Sequence, residues 1–142
     1  MLVLSLMRAS SARIGSLVHV TSPHARALSM LDLTGTTHVQ SLGLHRCSAQ
    51  DQKDVTTLAG ILEEGARGGL LLEGGGGIII AGATVGDAFE RARSASTLSQ
   101  ALLLALATRL PLTLPSDPLE GGREEREAAF AALKRSEEQR ER

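Results

Sequence analysis

The chain has 142 residues, enough for one domain-sized core, and 42% of them are hydrophobic. Aromatic residues make up only 1%, two Phe with no Tyr or Trp, so the core is expected from Leu, Ile, Val and Ala, and aromatic stacking on single-stranded nucleic acid is excluded. A formal net charge of -1, with acids and bases intermixed, leaves no broad basic surface for a phosphate backbone, so no nucleic-acid partner is expected.

The opening apolar stretch lacks a leading positive charge and meets Arg8 and Arg13 early, so it reads poorly as a signal peptide. Its residues 2–9 suit the end of a helix. Residues 15–20 have the short β-branched character of a strand, with His19 near its end. Ser22 then precedes Pro23, a capping hydroxyl before a proline at the first helical position, and Ala25, Leu28, Ser29 and Leu31 continue a helical face. From Thr34 to Arg46 no period is sustained, and Gly35 and Gly43 suggest a loop or a short strand around 37–42.

Ser48 is placed to cap a helix over about 50–66, in which Val55, Leu58, Ala59 and Leu62 recur at helical spacing, and Gly65 and Gly68 end it. Two short apolar runs, 69–73 and 78–81, flank the glycines at 74–77 and predict an antiparallel hairpin buried on both faces. A long helix is expected over about 85–109, capped by Thr84 with Asp87 three residues on. Val85, Ala88, Phe89 and Ala92 are read as one face of it, extended by Leu98, Leu102, Ala105 and Leu106. Pro111, Pro115 and Pro118 interrupt regular structure. Residues 119–142, rich in Glu and Arg, read as a charged helical tail.

The longest apolar run outside the opening, 101–107, falls far short of the roughly 18 residues of a membrane span, so no membrane partner is expected. Cys47 is the only cysteine and allows no intrachain disulfide, which makes a reducing, cytoplasmic setting the default. Arg46 beside it raises the question of a depressed thiol pKa, but with no base in view the thiol reads as inert. Ser22 and Ser29 show no triad partners. The glycine run could in principle cradle an anion, but no Lys-Ser/Thr follows and the next segment reads as a strand, so a flexible turn is the stronger reading.

Two regions carry a family resemblance. The stretch 14–29, Ile-Gly-Ser-Leu-Val-His-Val-Thr-Ser-Pro-His-Ala-Arg-Ala-Leu-Ser, together with the preceding 4–9, resembles the class II aldolase/adducin segment that ends in His-x-His-Ser-Pro. Downstream, 69–82 resembles that family's hairpin, whose turn normally reads Asn-His-Gly or Gly-His-Gly, and 84–92 with 102–107 resembles the following helix. Together they span about residues 2–115.

The resemblance implies an α/β fold, a mixed and largely antiparallel sheet covered by helices, incomplete relative to the family, with residues 1–115 as the domain and 116–142 as the tail. It also implies a zinc ion on three histidines, polarising a sugar-phosphate carbonyl for aldol cleavage or epimerisation. At those positions this chain has His19, Thr21 and Gly76. A neutral hydroxyl is a poor zinc ligand and glycine has no side chain, so His19 is the sole surviving family ligand, no bound zinc is expected, and no catalytic residue is assigned. A substitute cluster of His19, His24 and His38 is the alternative metal reading.

Three functions stay open. The first is a non-catalytic family domain acting through association with a second copy or a related subunit. The second is an active lyase with a non-standard metal site, the only case with a sugar-phosphate ligand. The third is a truncated product, because the resemblance puts the family's catalytic carboxylate ahead of Met1.

Overall fold

The computed structural model describes residues 2–10, 14–31, 43–64 and 69–109, with 119, 135, 139 and 140 as isolated positions. Four strands form one open sheet in the order β1 (Ser16–Val20), β4 (Gly77–Gly82), β3 (Gly69–Leu72), β2 (Leu44–Cys47). The β1–β4 and β4–β3 pairings are antiparallel and β3–β2 is parallel, so the sheet is mixed and largely antiparallel, as expected. Among the continuous described segments the helices are α1 (Leu2–Ala9), α2 (Pro23–Met30), α3 (Val55–Glu64) and α4 (Val85–Thr108).

Strand side chains alternate between the two faces of a sheet, and here both faces are covered. On one side Val20, Leu71, Ile78 and Ile80 pack with Ala25 and Leu28 of α2 and with Ala92, Ala95 and Leu102 of α4. On the other, Leu70, Leu72, Ile79 and Ala81 pack with Leu6 of α1 and with Leu58, Ala59 and Leu62 of α3. Every residue of β3 and β4 is therefore buried, which is why those runs read as continuously apolar rather than alternating. Each fully buried Leu or Ile contributes about 1.5–3 kcal/mol relative to exposure.

Several local expectations hold. The Ser22 hydroxyl accepts from Ala25 N at 3.4 Å, with Pro23 opening α2. Thr84 caps α4 through Asp87 N at 3.1 Å, and the Asp87 carboxylate accepts from Ala83 N at 3.3 Å.

Others need correction. Leu31 does not extend the helical face: α2 ends at Met30, and Leu31 is extended and exposed. The span 37–42 lies outside the described residues, and the strand of this region is found at Leu44–Cys47. The single helix expected over 50–66 is two pieces. Ser48 and Asp51 exchange hydrogen bonds, Ser48 N to Asp51 Oδ2 and Asp51 N to Ser48 Oγ, and so close a 3₁₀ turn over Asp51–Lys53. Asp54 then starts α3 by accepting from Thr57 N at 3.2 Å. Gly65 and Gly68 lie outside the described residues.

The face assigned to α4 also differs. Val85 is 72% and Phe89 55% exposed, whereas Ala88, Arg91, Ala92, Ala95, Ser99 and Leu102 are buried. The cause is proximity: a Cβ built on Gly82 would lie 2.5 Å from Ala88 N, so the helix start rides against the strand with room only for small residues. Arg91, itself buried, donates to the Ala81 carbonyl. Pro111, Pro115 and Pro118 and most of the tail lie outside the described residues, but Leu119 is buried in the α2/α4 core.

Candidate functional site

The residues singled out by the resemblance converge at one end of the sheet. β1 ends at Val20, paired with Ile78, and the next residues lead directly into α2. The β3–β4 turn, residues 73–76, lies beside this handover and is fastened to α2. The Ser29 carbonyl accepts from Gly74 N at 3.0 Å and Gly75 N at 3.5 Å, and the Ser29 hydroxyl accepts from Gly77 N at 3.1 Å. Gly76 N is taken by the Leu72 carbonyl at 3.1 Å. All four glycine amides are thus spent inside the protein, which removes the anion-cradle reading, since such a cradle needs free N–H groups. Glycine is required where the backbone is left-handed, at Gly74, Gly75 and Gly77, with φ of 83°, 88° and 80°.

His19, exposed at the end of β1, donates from Nε2 to the Gly76 carbonyl at 2.7 Å. A carbonyl only accepts, so Nε2 carries the proton. Two residues 57 apart in the chain, which the resemblance likens to the first and third ligand positions, therefore meet and bond each other. Gly76 has no space for a side chain either: an added Cβ would lie 2.6 Å from Leu72 Cβ. Thr21 is exposed, and its hydroxyl has no partner among the described residues. With Nε2 engaged, His19 keeps Nδ1 as a single donor, and beside it a neutral hydroxyl and a packed glycine supply too few ligands for a zinc ion; among the described residues no group of three His, Cys, Asp or Glu is placed to hold a metal. His38 lies outside the described residues, so the His19/His24/His38 cluster is not assembled by them.

Next to Thr21, an open pocket of about 390 Å³ is lined by Thr21, Pro23, Arg26, Ala27 and Met30. Arg26 donates from Nε to the Gly75 carbonyl at 3.3 Å, which ties its side chain to the turn. Neither Arg26 nor the structural role of Ser29 was foreseen as part of a site. The only sequence signal was that Ser29 sits on the buried face of an amphipathic helix, where a serine needs a hydrogen-bonding reason.

At the same end of β3, on the side of β2, Arg46 pairs with Glu73 at 2.6 Å, and Glu73 N donates to the Cys47 carbonyl at 2.9 Å. The guanidinium beside Cys47 is thus committed to Glu73. Burial, with Asp51 and Glu73 adding to it, pushes the Cys47 thiol up to about 12, the opposite of an activated thiolate. Asp51 is held below the usual carboxylate range by the backbone and side-chain hydrogen bonds of Ser48.

No protein-family model matches the chain, and no curated protein matches it in sequence. Among solved structures it is similar to YgbL, a proposed aldolase/epimerase/decarboxylase from Escherichia coli, at 23% identity and a TM-score of 0.46 over 83% of this chain. The chain spans 61% of that protein's length. No helix among the described residues is long and apolar enough to cross a membrane.

Proposed function

We propose that this chain is a non-catalytic domain of the class II aldolase/adducin type that has given up its metal site and acts through association with a second copy or a related subunit. One observation carries the reading. His19 and Gly76, which occupy the first and third ligand positions on the resemblance, lie side by side with Nε2 2.7 Å from the Gly76 carbonyl, so the place of a third imidazole is taken by a residue with no side chain. The packing of Gly76 against Leu72 supports it, because the turn has closed around the missing side chain. Exposed Val85 and Phe89, one helical turn apart, and exposed Leu4 and Met7 on α1 support association over an isolated existence.

Elemental analysis and zinc titration of the purified chain test the first half, and light scattering across a concentration series tests the second. The expected results are no stoichiometric zinc, no aldol cleavage with or without added zinc, and a concentration-dependent assembly. One equivalent of zinc that disappears in His19→Ala would overturn the proposal in favour of an active enzyme with a non-standard site. A monomeric, partly molten chain would favour the truncated product.

A further inference from the structure

We infer that the pocket beside Thr21 binds a small organic anion, with its carboxylate or phosphate group on Arg26 and Thr21 and its carbon body against Ala27 and Met30. The pocket is about 390 Å³, a size that suits a short-chain acid or a small ester rather than a macromolecule. Its walls divide by chemistry: Thr21 and Arg26 are its hydroxyl and its cation, while Pro23, Ala27 and Met30 are apolar. Among the described residues no acidic side chain lines it.

The state of Arg26 gives the argument its direction. Its Nε is anchored on the Gly75 carbonyl, which limits the side chain's freedom, and its two terminal nitrogens have no partner among the described residues. A guanidinium held by one edge with its outer fork open is preorganised for a planar two-oxygen acceptor. The Thr21 hydroxyl, also without a partner among the described residues, supplies a further donor at the same rim. Met30, 62% exposed, would be partly covered by the carbon body.

The site uses neither His19 nor a metal. It therefore stands on its own residues whether or not the association reading holds.

The test is an NMR titration of the full chain, stripped of metal on a chelating resin, with inorganic phosphate in one arm and butyrate in the other. Saturable amide shifts confined to residues 21–30 and 74–77 are expected in at least one arm, with a dissociation constant on the order of 1 mM, as suits one charged contact in an open pocket. The arm that saturates identifies the headgroup. Arg26→Gln, which keeps a donor for Gly75, is expected to weaken binding about tenfold, and Ala27→Glu, which puts a carboxylate in the wall, to abolish it. The proposal is overturned if neither anion saturates, or if both variants retain the wild-type response while unfolding like the parent. Zinc content and assembly do not enter this readout, so its failure is distinguishable from failure of the functional reading.

Discussion

Replacing Ser29 by Ala tests the tie between α2 and the hairpin with a change of one atom. Ser29 is 2% exposed, and its hydroxyl accepts from the buried Gly77 N at 3.1 Å while donating to the Arg26 carbonyl at 2.7 Å. The Arg26 carbonyl keeps its own helical hydrogen bond, so the group stranded by Ser29→Ala is the Gly77 amide. A buried donor without an acceptor costs about 1–3 kcal/mol, and each kcal/mol shifts the melting temperature by roughly 2–8 °C for domains bracketing this size. Ser99→Ala is the control. Ser99 is 0% exposed and its hydroxyl donates to the Ala95 carbonyl at 2.7 Å, but it serves no orphan donor, and Ala is the better helix former. That change is expected to stay within about 0.5 kcal/mol. Urea unfolding gives both values, and hydrogen exchange at Gly77 reports the local effect. Equal destabilisation of the two variants, or an unchanged Gly77 exchange rate in Ser29→Ala, would refute the reasoning.

Glycine substitutions in the turn should separate strain from collision. Gly74→Ala, in open space at φ 83°, is expected to cost about 1–2 kcal/mol, whereas Gly77→Ala would put a Cβ 2.3 Å from the Val20 carbonyl and should prevent stable folding, as seen in soluble yield and circular dichroism. Thr84→Ala removes the acceptor for Asp87 N and should cost about 1 kcal/mol in a thermal melt, with Thr84→Ser close to neutral. Cys47 should resist thiol reagents until the chain unfolds. Because its folded pKa is raised from 9.0 to about 12, the unfolded chain loses this proton first. The contribution is therefore complete below pH 9 and is lost as pH rises from there towards 12, at up to about 1.4 kcal/mol per unit. Cys47→Ala should flatten that slope in urea titrations at alkaline pH.

The parts of the fold that were legible in the sequence are those in which a local rule and the tertiary environment agree. Ser22-Pro23, Thr84 with Asp87, and the glycines between two apolar runs each announce a cap or a turn whose chemistry is contained within a few residues. β2 was not legible because only Leu44 and Cys47 of its four residues are buried, three positions apart, a spacing that suits a helix and not the two-residue alternation of a strand. Ser48 was read correctly as a cap but for the wrong helix. A second cap, Asp54 with Thr57 three residues on, stood in the sequence and marks the true start of α3.

Phe89 was misplaced because helical periodicity fixes angle and not distance. With Gly82 against Ala88, the side of α4 that meets the sheet is too close for a phenyl ring. His19 and Gly76 were singled out by motif resemblance, and in the fold they share a hydrogen bond, which no local rule in the sequence announces. The pocket around Arg26 had no sequence signal, since an arginine on a short helix ordinarily reads as solvated.

The length of the glycine run follows from how the turn is fastened. Three of its four amides face a single serine, one by hydroxyl and two by carbonyl, so the chain measures off a fixed number of residues between leaving β3 and entering β4. Inserting or deleting one glycine would present the wrong amide to Ser29 and turn every side chain of β4 to the opposite face of the sheet, moving Ile78 and Ile80 to the layer that now holds Ile79. A stretch that looks like low-complexity filler is therefore intolerant of any change in its length.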